Sequence, residues 1–393
     1  MDRGIMRRGL LKLSLRDAIV FLYLIVLSVQ YGLQCTDFEF SEYKSNLLLI
    51  FYLFSLLFFL FLSEYCYVDL FFTALILLFG LIVTYKSGFS GFLIMVTTSI
   101  MLSRWEWSKV FKSIFILRCF VFCLIICLAV LGGLNLYKTL VVKGGYSVIG
   151  YGLGFTHPNR LAYGFVYLMI VYICFLGRRI TTKDYFFIVT LSLICYCITK
   201  SRTQIICICV ILLFSYLLQA DHFKTFANVS LFGLGLVIVP FCFFFSVAIP
   251  YMLISGNLFL KNLALVLDHM FSGRFMLISR AFKYYDLSLF GGTSNFDILD
   301  RVYHYSTVDN GYIRFIYAYG LVGMLIYILL TVLTVLILKQ RKEILLVSVV
   351  IVISVWALSE NILVSVGFNI IGIFWSVLIR RFENCGIESS LNV

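Results

Sequence analysis

The sequence predicts an all-α fold: a polytopic transmembrane helical bundle of about twelve spans. Three observations carry this. The chain is 62% hydrophobic and 13% charged, about half the charge that a soluble domain carries. Apolar runs near twenty residues recur along its 393 residues, and each is long enough to cross a bilayer as a helix. The runs are continuous and do not alternate with period two, so of the two folds that satisfy their backbone in lipid, helices are expected rather than a barrel.

Taken in order, a basic start (Arg3, Arg7, Arg8, Lys12, Arg16) leads into a run that ends near residue 33. With no small-residue cleavage site after it, this reads as the first span and not as a signal peptide. Further spans are expected near 46–62, 68–84, 88–103, 113–134, 159–177, 184–199, 203–219, 226–250, 311–338, 343–358 and 362–379. No soluble module is visible, so residues 1–393 read as one integral membrane domain.

The net charge of +12 does not indicate nucleic acid, because the cations sit in short clusters between apolar runs. Most Lys and Arg outside the long interval fall around 3–16, 104–112, 178–183, 224, 339–342 and 380–381. The alternate short loops hold only Lys44, Lys86, Lys138, Lys143, Lys200 and Arg202. The positive-inside rule then places both termini in the cytoplasm. Four polar features fall on the outer face: 135–159, 199–202, 251–310 and Ser359-Glu360-Asn361. The twelve cysteines show no C-x-x-C and only Cys35 lies in a loop expected outside, so neither a disulfide nor a metal role is expected.

The interval 251–310, expected as one large extracytoplasmic loop between spans 9 and 10, is the long polar stretch of the chain. It holds His269, His304, Arg274, Arg280, Arg301 and Phe290-Gly291-Gly292-Thr293, and closes on Asp309-Asn310-Gly311-Tyr312. Lys261, Arg274, Arg280, Lys283 and Arg301 balance Asp268, Asp286, Asp297, Asp300 and Asp309, so the loop is not a basic patch for anionic lipid. The stretch from Ser272-Gly273-Arg274 to Tyr285 reads as an amphipathic helix at the membrane surface. Arg274 and Arg280, six apart, lie about 120° apart around it. His269 and Arg280 share a face only if the helix runs unbroken through Gly273.

Arginine presents a planar fork suited to phosphate oxygens, so outer-face arginines suggest a phosphate-bearing substrate. In 135–159 the glycines at 144, 145, 150, 152 and 154 precede Thr156-His157-Pro158-Asn159-Arg160. This reads as a flexible loop with a Pro-started helix, or as an anion site at that helix's N-terminus. Thr199-Lys200-Ser201-Arg202-Thr203 places charge on the outer side against the topological bias. His157, His269, His304, Asp309 and Glu360 are candidates for proton transfer.

Phe155–Ala162, Ser201-Arg202-Thr203, Ser272-Gly273-Arg274, the long loop, Asp309–Ile313 and Tyr319-Gly320-Leu321-Val322-Gly323 together resemble the Wzy-type polymerases of O-antigen and capsular polysaccharide, relatives of the O-antigen ligases. Arg280 and Gly291 also have the Arg-ten-Gly spacing of such polymerases; the 135–159 loop has none. The resemblance covers the chain from about Gly150 onward. It implies an enzyme of the bacterial cytoplasmic membrane, working at the outer face on oligosaccharide repeat units linked to undecaprenyl pyrophosphate. A sugar hydroxyl of one unit would attack the anomeric carbon of another, and polyprenyl pyrophosphate would leave. Arg202, Arg274 and Arg280 would stabilise the leaving charge. His157 would be the acid/base, with Asp309 and Glu360 as partners. No cofactor or metal is implied. A chain-length regulator and a flippase are the expected protein partners. The alternatives are a ligase that moves finished glycan to another acceptor, and a flippase or transporter, for which ionisable residues at the midplane and repeated halves are expected.

Overall fold

The computed structural model describes residues 3–38, 41–64, 67–143, 146–293, 295–305, 307–365 and 367–380. In chain order its elements are α1 (Arg3–Gln34), α2 (Glu42–Leu62), α3 (Tyr67–Ser87), α4 (Gly91–Leu102), α5 (Trp107–Val130), a hairpin of β1 (Lys138–Lys143) and β2 (Tyr146–Tyr151), α6 (Pro158–Leu176), α7 (Thr182–Thr199), α8 (Arg202–Gln219), α9 (Asp221–Ile254), α10 (Leu258–Met270), α11 (Arg274–Tyr284), α12 (Asp297–Tyr303), α13 (Gly311–Gln340), α14 (Ile344–Trp356), α15 (Ile371–Phe374) and α16 (Ser376–Arg380). The protein is a helical, multi-pass membrane protein by composition. Among the described residues nine helices are long and apolar enough to cross a membrane, and α4 and α14 are shorter apolar helices.

Two expectations change. The strands pair antiparallel from Lys138 with Tyr151 to Lys143 with Tyr146, so the stretch read as a flexible loop is a hairpin. Its Thr139, Val141, Val142, Val148 and Ile149 are β-branched and suit a pleated strand; Gly144 and Gly145 lie outside the described residues. The expected span at 362–379 is not one helix. Over 357–365 and 367–370 the chain runs irregularly and then forms only the short α15 and α16. Ser365 and Asn369 take local hydrogen bonds there: the N–H groups of Phe368 and Asn369 donate to Ser365 O, and Asn369 Oδ1 accepts from Ile371 N–H. The Asn369 side chain thereby competes with a helical ladder.

The chain forms two compact units, Met1–Asp69 with Ile100–Ala220, and Leu70–Ser99 with Asp221–Phe382. In the first, α5 packs along both α1 and α6. Close approach is built in: a Cβ on Gly32 would lie 2.3 Å from Val121 of α5, and one on Gly164 would lie 3.1 Å from Phe122. At the other end Asp17 accepts from Trp105 Nε1 at 2.7 Å and pairs with Lys109 at 2.6 Å.

In the second unit α9 packs along α13 and α14. α13 breaks at Gly320, whose φ of 78° and ψ of 175° are not helical. A break leaves backbone groups unpaired, which is costly in an apolar interior. The segment 288–293 supplies the partners. Leu321 N–H donates to Ser288 O and Val322 N–H to Leu289 O, while Gly292 N–H donates to Ala318 O and Thr293 N–H to Tyr317 O, all at 2.9–3.2 Å. The backbones touch so closely that a Cβ on Gly320 would meet Leu289 O at 2.1 Å, and one on Gly291 would meet Ala318 O at 2.3 Å. The Gly-Gly pair of the polar interval is therefore the counterpart of the Gly in Tyr319-Gly320-Leu321.

Candidate functional site

The polar interval is folded as three helices. Asn257 caps α10, its Oδ1 accepting from Phe259 and Leu260 N–H at 3.0 and 3.3 Å. The chain reverses at Ser272 (φ 58°) and Gly273 (φ 79°), so α10 and α11 are separate helices and His269 and Arg280 are not on one continuous face. Gly273 begins α11 but has no side chain to cap it. Asp268, buried at the end of α10, does this instead: its Oδ1 accepts from Met276 N–H at 3.0 Å, one of the orphan donors of a helix start. The turn is thereby fixed, and with it Arg274 as the first residue of α11.

Arg274 Nη2 donates to Glu360 Oε1 at 3.0 Å. Glu360 lies in the irregular segment after α14, its side chain 2% exposed, against 19% for Arg274. A carboxylate this deep needs a cation partner. Just before α13, the Tyr305 hydroxyl donates to the Asp309 carboxylate. Burial pushes the Tyr305 hydroxyl well above the ordinary tyrosine range, and the Asp309 charge adds to this; the Arg274 charge acts in the opposite direction. Arg274 thus sits within electrostatic reach of this pair. Next to it, Asn310 is fully buried. Its Oδ1 accepts from Ile313 N–H at 3.0 Å, and its Nδ2 donates to Ser246 Oγ at 3.0 Å and Leu358 O at 2.9 Å. One side chain therefore caps α13 and ties it to α9 and to the segment carrying Glu360. Arg274, Glu360, Tyr305 and Asp309 form the candidate site of the second unit.

Arg280 stands apart from that cluster. Its guanidinium lies 4.5 Å from the ring centroid of Tyr303 in α12, a cation–π contact. His269 and His304 are exposed at the C-terminal ends of α10 and α12.

His157 and Arg202 belong to the first unit. His157 is the N-cap of α6, its Nδ1 accepting from Asn159 N–H at 3.1 Å, with Pro158 in the first turn. Arg202 is the exposed first residue of α8. The two helix starts are tied together, since the Ser201 hydroxyl donates to Asn159 Oδ1 at 3.1 Å. β2 closes on the same place, for a Cβ on Gly150 would meet Thr199 O at 2.8 Å and Pro158 at 3.2 Å. The end of α1 joins it: Thr156 N–H and Arg160 Nη1 donate to Cys35 O and Gln34 O at 3.0 and 2.9 Å. Burial pushes the Cys35 thiol up to about 11, so it stays protonated at neutral pH. The stretches 135–159 and 199–203, separate in sequence, are one cluster in space.

Among the described residues no three His, Cys, Asp or Glu side chains converge as metal ligands would. Tyr305, Asp268 and the cross-linking role of Asn310 were not evident from sequence. Tyr305 is one of 25 tyrosines and carries no local mark; Asn310, an Asn just before an apolar run, has the signature of an N-cap.

No family model, no curated protein and no solved structure matches this chain.

Proposed function

We propose that this protein is a polymerase that joins polyprenyl-pyrophosphate-linked oligosaccharide repeat units into a surface polysaccharide, at the outer face of a bacterial cytoplasmic membrane. The observation that supports this best is the grouping of Arg274, Glu360, Tyr305 and Asp309 beside the start of α13. The reaction separates charge as the pyrophosphate leaves, and needs a fixed cation there. Arg274 is held by Glu360, and a guanidinium fork in a fixed orientation suits phosphate oxygens. The Tyr305–Asp309 pair offers an oxygen base to take the acceptor hydroxyl's proton. In this reading Arg280 and Tyr303 meet the saccharide. A ligase would use the same groups.

A transporter of the same lipid-linked saccharide is the second reading, and a specific observation favours it. α13 is broken at Gly320 and the chain is irregular over 357–365 and 367–370, and broken helices line the sites of many transporters. The two readings separate in liposomes given lipid-linked repeat units at one face. Lengthening of the glycan supports the polymerase; movement of unaltered units to the other face supports the transporter. In cells, loss of long polymer in Arg274→Lys and Arg280→Ala, with single units retained and the protein present in the membrane, is the expected outcome. Unchanged polymer in both would sink the site assignment.

A further inference from the structure

Arg118 is not used by the site described above and sits in the first unit. It lies near the middle of α5, a 24-residue apolar helix, so that ~16–18 Å of helix separates it from either end. It therefore lies along the helix past Lys109 and Lys112, and not among the cations of the helix ends. The side chain is half-buried. Its guanidinium carbon lies 4.5 Å from the ring centroid of Tyr31 of α1 and 5.3 Å from that of Tyr167 of α6. Both tyrosines are buried, so the cation is turned into the unit. Ring faces take up part of the charge but give no oxygen to its five N–H donors. Among the described residues Arg118 makes no hydrogen bond or ion pair. A cation at this depth is expected to have an anionic partner. Its charge also reaches Cys35 at the end of α1, beside Arg160.

We infer that Arg118, with Tyr31 and Tyr167, forms a binding site for a phosphate group inside the first unit. The fork fits a two-oxygen contact. Phosphate suits it better than a carboxylate, because burial raises a carboxyl pKa and favours its neutral form, whereas a phosphate's first ionisation is far more acidic. The site does not depend on the polymerase reading, as none of its residues belongs to the Arg274 cluster.

The test is thermal unfolding of the full chain in detergent, titrated with farnesyl phosphate, inorganic phosphate or farnesol. Saturable stabilisation by a phosphate probe is expected in the wild type. Affinity should fall at least about tenfold, or ~1.4 kcal/mol, in Arg118→Gln. Response to farnesyl phosphate alone identifies a lipid-borne phosphate as the ligand; equal response to inorganic phosphate identifies free phosphate. If Arg118→Gln does not accumulate, Arg118→Lys carries the test, because it keeps the charge but loses the fork, and the same loss is expected. The inference is overturned if the wild type responds to neither phosphate, if farnesol stabilises as much as farnesyl phosphate, or if the variant that folds binds as the wild type does.

Discussion

Arg274 and Glu360 lie 86 residues apart in sequence and 3.0 Å apart in space, and their burial is unequal: Glu360 is 2% exposed and Arg274 19%. The asymmetry orders the mutants. Removing Arg274 takes the cation from a buried carboxylate, a change that costs about 3–5 kcal/mol. Removing the charge of Glu360 strands an arginine that still reaches solvent, and costs less. Arg274→Ala should therefore unfold at a lower temperature than Glu360→Gln, and the double variant should be less damaged than the sum of the two, because the stranded charge is gone. Equal losses with simple additivity would mean the pair is not coupled. Loss of activity in Arg274→Ala alone is accordingly ambiguous, and Arg274→Lys, which keeps the counter-charge, is the sharper probe of the fork.

Asn310 tests whether the Glu360 segment is held from α13. Asn310→Ala removes the acceptor for Ile313 N–H and the donor to Leu358 O. Asn310→Asp keeps the acceptor but turns a second oxygen on Leu358 O. Each buried unmatched group costs about 1–3 kcal/mol, so both variants should lower the unfolding temperature, with Asp no better than Ala. Full stability in Asn310→Asp would show that the Nδ2 bonds to Ser246 and Leu358 contribute nothing.

What sequence reveals here depends on the range of the interaction. The lipid-spanning helices are legible because burial in lipid demands long apolar runs, whatever the rest of the chain does. Arg274 was visible as a charge within the long polar loop and Glu360 as one flanking an apolar run, but nothing local says that they pair, since the pairing depends on how α11 and the segment after α14 pack. The hairpin at 138–151 was hidden because its glycines read as a loop, although its β-branched residues were present. The span expected at 362–379 failed for the opposite reason: its hydrophobicity is high enough for a helix, and the interruption falls at Asn369, whose side chain is tied to partners elsewhere. Asn369 donates to Leu363 O at 3.0 Å and to the Tyr327 hydroxyl at 3.2 Å.

Gly320 and Gly273 share a positive φ, 78° and 79°, but differ in ψ, 175° against 11°, and in surroundings. A Cβ at Gly320 would overlap Leu289 O, while one at Gly273 would meet nothing within 4 Å. Gly273→Ala should cost only the left-handed strain, about 1–2 kcal/mol. Gly320→Ala should also force 288–293 away from the break in α13, releasing the four hydrogen bonds that satisfy it, and should reduce folded protein in the membrane far more. If the two variants accumulate and melt alike, the 288–293 segment does not hold the break.

Tyr305 gives the site a pH signature. Its hydroxyl is raised above the ordinary value near 10 by burial first and by Asp309 second. In the unfolded chain it ionises near pH 10; in the folded chain it stays protonated to higher pH. Below pH 10 both states hold the proton and the contribution is complete. As pH climbs above 10 the unfolded state releases its proton and the folded state does not, so stability falls until the folded hydroxyl also ionises. Tyr305→Phe removes this group and should flatten part of the alkaline decline measured between pH 9 and 11, while costing about 1 kcal/mol at neutral pH for the lost bond to Asp309. Asp309→Asn lowers the tyrosine's elevation without abolishing it, because burial is the larger cause, so its alkaline decline should lie between those of the wild type and Tyr305→Phe. An Asp309→Asn profile as flat as that of Tyr305→Phe would make the carboxylate, and not burial, the main cause. It would also strengthen the case for Asp309 as the group that works on protons in this site.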